Sequence, residues 1–491
     1  MVSKKIAVIG GGFSGLAAAT YLANAGFKVT LFEKNPTVGG RNRKFSEEGF
    51  TFEMGPSWYW MPEVFDGYFS DFQRKREDFY SLTKLNPSFS IVFKDKFKLD
   101  IPSEEKELIE LFESIEKGAG KKLVEFMADA KYKYDTSMDK LIYKPGKTLL
   151  EFIEPEVIRG IFKLNLFSNF KKFVRKYFKD HKLTALMDFP VLFLGSAPEN
   201  TPALYSLMNY AGLMLGTWYP KNGMYQIIQS MGELALDLGV EIITNADVDS
   251  INVEGNKATE LIVNGNVHQF DALVAAGDYK HMETLLPKEV RNYNDKYWNS
   301  RTLAPSSLIF FLGVNKEIPS LDHHTLFFDE SLEDHSSEIY SNPAWPEKPL
   351  FYVCNPSKTD KNIAPEGNEN LFVLIPIAPG LEDTEEIREH YFKIILERLE
   401  KQIDIKISEN IIYKKSYCLN DFVSDYHSFK GNAYGLANTL KQTAILKPKL
   451  NNKKLKNMVY AGQLTVPGPG MPPALISGKL AADELIKYFN K

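Results

Sequence analysis

Apolar residues at the start of the chain predict a strand, a helix and a second strand. The run from Lys5 to Ile9 is short and apolar, which is typical of a buried strand. From Phe13 to Ala25 the apolar residues follow a helical spacing, and Gly26 comes directly after them as a helix stop signal. Lys28 to Phe32 is a second strand-like run. This order predicts a β-α-β unit.

Similar runs return in the second half of the chain. A helix is predicted from about Tyr225 to Leu238, ended by Gly239. The strand-like runs that follow are Val240–Thr244, Val248–Val253, Thr259–Val263 and Asp271–Ala276. Asn264-Gly265-Asn266 is the strongest short hairpin signal in the chain. We expect this set of elements to complete a nucleotide-binding sheet that the N-terminal unit starts.

Glycines mark the turn between the first strand and the first helix. Gly10 and Gly12 let the backbone turn sharply and approach a pyrophosphate, and Gly15 lets the helix pack closely on the strand. The helix N-terminus, which includes Phe13 and Ser14, directs free N–H groups and a partial positive charge at the same place. The turn is therefore predicted to bind the ADP half of a dinucleotide.

An acidic residue and a second glycine pair narrow the choice of cofactor. Glu33 closes the second strand, where its carboxylate is expected to accept the ribose hydroxyls and to repel a 2′-phosphate. Lys34 follows it and is included in the predicted site. At Gly39-Gly40-Arg41 the backbone can approach the diphosphate closely a second time, because Gly40 has no side chain. The Arg41 guanidinium is expected to make bidentate hydrogen bonds to the phosphates. NAD domains lack this extension, so FAD is predicted.

The C-terminal region repeats the strand, turn and helix order. Tyr460 to Gln463 precedes a turn rich in proline and glycine, and Ala474 to Tyr488 has helical spacing. Gly462 and Met471 are predicted to contact the flavin, with the helix N-terminus near the pyrimidine end of its ring.

Composition excludes several classes of protein. The net charge of −4 argues against a general nucleic-acid binder. Cys354 and Cys418 are the two cysteines, without metal-binding spacing, so no metal site and no disulfide framework are predicted. We expect no leader peptide, because the first predicted strand begins at about Lys5, and no apolar stretch approaches the roughly 20 residues that span a bilayer. No oligomeric state can be predicted.

A basic segment suggests contact with a membrane. Arg159 to Lys182 carries many basic residues and a single acid, Asp180. Its apolar residues, at helical spacing, are Leu166, Phe167, Phe170, Phe173, Val174, Tyr177 and Phe178. A basic amphipathic helix of this kind lies in the headgroup plane with its apolar face in lipid, although packing against the protein core explains the same pattern.

Motifs along nearly the whole chain resemble the bacterial-type phytoene desaturases, a family of FAD-dependent carotenoid desaturases. The matching elements are Gly10–Gly15, Glu33, Gly39–Arg41, Gly49–Ser57, Gly223-Met224, Pro356–Asp360, Ala364–Gly367, Gly431–Leu436 and the C-terminal turn. The resemblance adds Gly55, Pro56, Ser57 and Val248 to the predicted cofactor site. Two departures leave the reaction less defined, because the family commonly has Asp where Glu53 stands and Gly-Ala-Gly where Ala461-Gly462-Gln463 stands.

The resemblance implies a fold class and a domain plan. The expected fold is α/β, with a Rossmann-like FAD-binding domain of the glutathione-reductase or amine-oxidase type and a discontinuous α+β substrate domain. The FAD-binding domain is predicted from residues 1–75, 225–285 and 455–491, and the substrate domain from 76–103, 183–224 and 286–454. Residues 104–182 are predicted to be helical and to associate with the membrane.

The implied activity is desaturation of a C40 carotene such as phytoene, by hydride transfer to flavin N5. The enzyme is expected in the cytoplasm, attached peripherally to the inner face of the cell membrane. Glu53, Asp188 and Glu199 are candidates for a carboxylate near the reacting carbons, and none is selected as catalytic. Four alternatives remain open: a 3,4-desaturase of a hydroxylated carotenoid, a flavin amine oxidase, a carotenoid isomerase, and a non-enzymatic binder of prenylated partners.

Overall fold

The computed structural model describes residues 3–148, 151, 164, 168–192, 195 and 197–490. Its strands are β1 (Lys5–Ile9), β2 (Lys28–Phe32), β3 (Lys44–Glu47), β4 (Phe50–Glu53), β5 (Leu82–Lys84), β6 (Phe89–Phe93), β7 (Lys98–Ile101), β8 (Trp218–Pro220), β9 (Glu241–Ile243), β10 (Val248–Glu254), β11 (Lys257–Val263), β12 (Asn266–Gln269), β13 (Ala272–Ala275), β14 (Ser306–Val314), β15 (His324–Phe328), β16 (Phe351–Cys354), β17 (Glu369–Ile377), β18 (Ile411–Tyr417) and β19 (Met458–Tyr460). Its helices are α1 (Phe13–Asn24), α2 (Pro62–Ser70), α3 (Glu105–Ile115), α4 (Ala119–Thr136), α5 (Phe170–Tyr177), α6 (His181–Leu192), α7 (Leu207–Asn209), α8 (Tyr225–Asp237), α9 (Tyr279–Thr284), α10 (Asp295–Asn299), α11 (Leu332–Tyr340), α12 (Glu385–Ile403), α13 (Leu419–Tyr426) and α14 (Met471–Phe489).

A five-stranded parallel sheet gathers strands from both ends of the chain. Its order is β19-β13-β1-β2-β9, and Val8 in β1 lies opposite Val274 in β13 and Leu31 in β2. These strands are short and apolar because a parallel sheet is covered on both faces. Helix α14 packs tightly on α1, since a Cβ at Gly478 would lie 2.2 Å from the carbonyl oxygen of Ser14. The predicted strands and helices of this layer are confirmed.

The predicted meander does not extend this sheet. Strands β10, β11 and β12 form a separate three-stranded antiparallel sheet, joined by the hairpin predicted at Asn264 to Asn266. Of the predicted set, β9 before the meander and β13 after it both enter the parallel sheet. The set therefore completes the sheet through β9 and β13, the strands of the meander itself stay outside it, and the domain boundaries stay predictions.

A seven-stranded mixed sheet forms the second large layer. Its order is β18-β14-β17-β16-β15-β6-β7, so it combines β6 and β7 with strands from the region after residue 305. Every residue of β14 is buried, and the strand pairs along its whole length with β17. Apolar residues fill both of its faces, because one faces α12 and the other faces a cavity that it shares with the parallel sheet.

The basic segment is arranged differently from the prediction. Residues 159–163 and 165–167 lie outside the described part of the chain, and the rest form two helices, α5 and α6, broken at Phe178 to Asp180. Phe170, Phe173 and Phe178 are buried in the protein, where the last two contact Phe126 of α4. For these residues the lipid-facing orientation was wrong, because the helix buries its apolar face against its own chain.

Across the ranges described, none of the helices combines the length and the apolar character that crossing a bilayer requires.

Candidate active site

A cavity of about 450 Å³ runs from the glycine-rich turn after β1 to the seven-stranded sheet. With the exception of Gly15, each predicted cofactor residue lines it: Gly10, Gly12, Phe13, Ser14, Glu33, Lys34, Gly40, Arg41, Gly55, Pro56, Ser57, Val248, Gly462 and Met471. The chain thus brings residues from five segments, near positions 10–14, 33–41, 55–57, 248 and 462–471, to one cavity.

The glycines of the turn play two different parts. A Cβ at Gly15 would lie 1.8 Å from the carbonyl oxygen of Gly10, so this glycine lets α1 approach β1. A Cβ at Gly12 would come no closer to a protein atom than 3.9 Å, at the Cα of Gly40. Gly12 has an ordinary extended backbone (φ −80°, ψ −173°), so its missing side chain is explained by the open space in front of it.

Glu33 holds the turn against the end of β2. Its Oε2 accepts the N–H of Gly11 at 2.7 Å, and its Oε1 accepts the N–H of Asn35 at 2.8 Å. Oε1 also accepts the side-chain amide of Asn35 at 2.9 Å, so Oε2 is the oxygen that keeps a lone pair for a ligand hydroxyl. The side chain is buried at the cavity wall, where a ribose would complete its bonding.

Arg41 is fixed by a segment that the sequence analysis did not connect with it. Its Nη2 donates to the Oγ of Ser428 at 2.5 Å and to the carbonyl of Asn432 at 3.1 Å, and its guanidinium lies 5.1 Å from the Tyr426 ring centre. Its Nε has no partner among the described residues. Burial lowers the pKa of Arg41, and Asp278 opposes that shift. A guanidinium remains charged under such a shift.

Sequence analysis missed the side chains around the nucleotide end. Asp278 is buried after β13 and caps α9 by accepting the N–H of His281 at 3.2 Å. His281 stacks on His427 with ring centres 3.9 Å apart, and His427 Nε2 lies 3.1 Å from Asp247. All four residues line the cavity. The one sequence signal was the Gly277-Asp278 pair at the carboxyl end of a predicted strand.

The C-terminal turn reaches the same cavity, beside the glycine-rich turn that follows β1. Gly462 has φ +114° and donates its N–H to the Oγ of Ser477 at 2.9 Å. Helix α14 begins at Met471 and has proline at its next two positions, which carry no N–H group. The N–H of Met471 is therefore the donor that this helix end offers to the cavity.

The other end of the cavity is an apolar chamber. Its lining comprises Phe189, Met208, Ile309, Leu326, Phe328, Leu332, His335, Ser336, Ile339, Tyr340, Leu350, Phe351, Tyr352, Phe372, Leu374, Pro376 and Tyr434. Residues at positions 332, 335, 336, 339 and 340 form one face of α11, which was not predicted. Their helical spacing was the signal that could have located it.

His335 contributes a neutral ring to this chamber. Its Nδ1 accepts the N–H of Leu350 at 3.0 Å, and its Nε2 donates to the carbonyl of Pro376 at 2.8 Å. Burial lowers the pKa of His335 to about 4. With both nitrogens occupied, this histidine is not a proton acceptor for a substrate.

Two hydroxyls on the same helix face lack partners among the described residues. They are the Oγ of Ser336 and the Oη of Tyr340, one turn apart on α11. Ser336 is only 4% exposed. A buried hydroxyl without a hydrogen bond is costly, so this pair points to a polar group on a ligand.

The three carboxylates considered from the sequence do not line the chamber. Glu53 accepts the N–H of Tyr225 at 2.9 Å, and burial raises its pKa to about 7. Asp188 pairs with Arg175 at 2.6 Å, and burial raises its pKa to about 6. Glu199 is exposed. Among the described lining residues, the chamber end holds aromatic rings and hydroxyls rather than an acid.

The donor set at the nucleotide end fits a dinucleotide. Gly12 leaves room for a diphosphate, and Glu33 Oε2 has a lone pair for a ribose hydroxyl. The Nε of Arg41 has no partner within the described ranges. A family model described as flavin containing amine oxidoreductase matches residues 13–486. The chain belongs to the flavin-containing amine oxidoreductases. FAD is therefore its cofactor, and the enzyme is an oxidoreductase.

Relatives place the enzyme more narrowly within that family. It is 38% identical over 484 residues to a carotenoid 3,4-desaturase of Haloarcula japonica, which covers 98% of each chain. It is 30% identical over 497 residues to a zeta-carotene-forming phytoene desaturase of Myxococcus xanthus, covering 99% of this chain and 94% of that one. A solved putrescine oxidase variant shares the fold, with a TM-score of 0.63 at 13% identity over 99% of each chain. By sequence the enzyme groups with carotenoid desaturases.

Proposed function

We propose that the enzyme is a desaturase that introduces the C3–C4 double bond into an acyclic carotenoid that carries a hydroxyl near its end. The apolar chamber suits a long hydrocarbon. The observation that carries the finer choice is a pair of hydroxyls in the wall of that chamber, on Ser336 and Tyr340, for which the described part of the chain offers no hydrogen-bond partner. A substrate hydroxyl would satisfy both of them. The similarity to a carotenoid 3,4-desaturase supports the same choice.

The residues of the chamber bind the substrate, orient it and exclude water from it. FAD, when bound, accepts a hydride from the substrate carbon. Phe189, Phe328 and Phe372 surround the chamber with aromatic faces, which stabilise the positive charge that hydride loss leaves on an allylic carbon. Because the chamber excludes water, this charge is protected from attack. We assign no protein base to the proton that leaves with the hydride.

The residues that line the cavity near the glycine-rich turns are assigned to separate parts of FAD. We infer that Gly12 and Arg41 contact the diphosphate and that Glu33 accepts the ribose hydroxyls. Val248 lies at the adenine end, and Gly462 and Met471 lie at the flavin end. Each of these assignments is supported by its place at the cavity wall.

The test compares two carotenoids that differ only in the hydroxyl. FAD-loaded enzyme in liposomes is given a hydroxylated acyclic carotenoid or its parent without the hydroxyl, and products are separated and identified. We expect Ser336→Ala and Tyr340→Phe each to lower kcat/KM for the hydroxylated substrate about tenfold, which is the worth of one buried hydrogen bond. The parent hydrocarbon should react equally with all variants.

A matched control is available at Ser88. This serine is 1% exposed and its Oγ also lacks a partner among the described residues, but it does not line the cavity. Ser88→Ala should leave both substrates unaffected. Equal losses for both substrates in Ser336→Ala would contradict recognition of the hydroxyl.

Phytoene desaturation is the second candidate. The phytoene desaturase of Myxococcus xanthus supports it, because that relative aligns over nearly the whole chain. It predicts conversion of phytoene to coloured polyenes and no effect of the substrate hydroxyl. An amine oxidase is less well supported, since the described chamber residues offer no anion to pair with an ammonium group.

We also infer that the enzyme works at an anionic membrane surface, because carotenoids dissolve in bilayers. The support is the exposed side of α5 and the residues after it, which carry Lys172, Lys176 and Lys179. We expect the enzyme to sediment with anionic vesicles but not with neutral ones, and we expect added salt to weaken this binding. Lys172→Glu with Lys176→Glu should abolish it, whereas the same reversal at Lys257 and Lys288 should not. Binding that is unchanged in the first pair would contradict this surface.

A further inference from the structure

Three buried side chains meet behind the wall of the cavity. His324 in β15 lies directly opposite Cys354 in β16, so their side chains point to the same face of the sheet. His323 precedes β15, and its ring centre lies 4.5 Å from that of His324. One donor atom from each of the three lies within 4.8 Å of the others. All three residues are at most 5% exposed.

Each imidazole is held by one nitrogen and leaves the other unused. Nδ1 of His323 lies 2.6 Å from the Oγ1 of Thr359, and Nδ1 of His324 lies 2.6 Å from the Oη of Tyr352. Nε2 of both rings is buried and has no partner among the described residues. Histidines that bind metals show this pattern, since the second N–H donates to an oxygen and fixes the ring.

We propose that His323, His324 and Cys354 form a closed structural site for a soft divalent cation of the zinc class. Two imidazole nitrogens and a thiolate are the donors that zinc prefers. Zinc bonds of about 2.0–2.3 Å require donors about 3.3–3.7 Å apart, which side-chain rotation must reach from separations of at most 4.8 Å. On binding, the Cys354 thiol releases its proton.

Two further polar groups lie near these three side chains, a hydroxyl as a candidate fourth ligand and a carboxyl as a balancing charge. The Oη of Tyr219 is buried without a partner among the described residues, and its ring centre lies 4.5 Å from that of His323. The Glu53 carboxyl interacts electrostatically with Cys354. One thiolate and one carboxylate would neutralise a dication in the interior.

The site would fix the cavity wall. Tyr352, which bonds His324, also lies 3.0 Å from the Oγ of Ser57, and both Tyr352 and Ser57 line the cavity. A metal on His324 would therefore hold Ser57 in place through one intervening side chain. The sequence does not indicate such a site, because the pairing of β15 with β16 brings the ligands together.

Cys418 provides a matched control, since it is the other cysteine of the chain and is also buried. Because the site is buried, holoenzyme is prepared from cells grown with added zinc, or with cobalt in its place, and washed with a chelator. About one metal ion per chain is expected in the wild type and in Cys418→Ser, and its loss is expected in Cys354→Ser with FAD content unchanged. His323→Gln should lose the metal as well.

The cobalt form keeps the proposal testable if Cys354→Ser does not fold. A thiolate-to-cobalt charge-transfer band in Cys418→Ser can arise only from Cys354, because no other cysteine remains. Folded wild-type enzyme with neither bound zinc nor this band would overturn the proposal. Equal metal content in wild type and folded Cys354→Ser would overturn it too. Neither result depends on the substrate of the enzyme.

Discussion

The Gly12→Ala variant is expected to weaken FAD binding without lowering the stability of the fold. The backbone of Gly12 is in a region that alanine adopts without strain, and an added Cβ meets no protein atom closer than 3.9 Å. The variant should therefore fold with an unchanged melting temperature. The added carbon instead occupies the open space in front of the turn, where the diphosphate is proposed to approach.

The size of the effect follows from that geometry. A phosphate oxygen bonds a backbone N–H at about 2.9 Å, and a methyl group at this place holds it farther away. Losing about two charge-assisted hydrogen bonds costs about 3–6 kcal/mol, which weakens FAD binding by about 10²–10⁴-fold. Titration of the apoprotein with FAD, followed by quenching of flavin fluorescence, measures this directly.

Gly67→Ala is the matched control. Gly67 lies within α2, where an added Cβ meets nothing within 4 Å, and it does not line the cavity. It should bind FAD normally and gain slightly in stability from the better helix propensity of alanine. FAD binding by Gly12→Ala within about threefold of the wild type would refute the diphosphate placement. Unfolding of Gly12→Ala would refute the steric argument.

Three further predictions concern the same fold. Gly15→Ala should lose both FAD and stability, seen as a lower melting temperature of the apoprotein, because its Cβ would overlap the carbonyl of Gly10 at 1.8 Å; an unchanged melting temperature would contradict this. Arg41→Lys should weaken FAD binding at least tenfold in the same titration, since an ammonium group cannot fork on a diphosphate, and near-normal affinity would argue against that contact. Lys447 is 2% exposed, and burial lowers its pKa from the usual 10.5 to about 7. Between these two pH values the amine is protonated in the unfolded chain but neutral in the folded one. The free energy of unfolding should therefore rise with pH across this range. In Lys447→Met, the free energy of unfolding measured with denaturant should not show this rise. A dependence on pH as steep as that of the wild type would contradict the prediction.

The gathering of Gly10, Gly12 and Glu33 at one end of the cavity was predictable, because its requirements are local. The spacing of Gly10, Gly12 and Gly15 and the acid at Glu33 are dictated by one turn and one strand end, so the sequence records them directly. The apolar chamber depends instead on which strands pair and on how α11 crosses them. Ser336 and Tyr340 stand out because their hydroxyls find no partner among the residues that the structure describes, and no sequence pattern reveals this.

The basic segment illustrates the limit of periodicity. Phe170 and Phe173 repeat at the spacing of both a lipid-facing and a core-facing helix, and the pattern alone does not distinguish a membrane from a second helix as the apolar partner. Position in the fold decides the question, because α4 already covers that face. Lys172, Lys176 and Lys179 lie on the exposed side, where the proposed contact with an anionic surface would be made.

The central claim is that the chamber presents a carotenoid to FAD as a hydride donor. Anaerobic mixing of the FAD-loaded enzyme with liposomes containing the hydroxylated acyclic carotenoid tests it in one step, with flavin absorbance followed in time. We predict bleaching of the flavin together with a product that has one more conjugated double bond. Flavin that stays oxidised with every carotenoid but bleaches with putrescine would contradict the account.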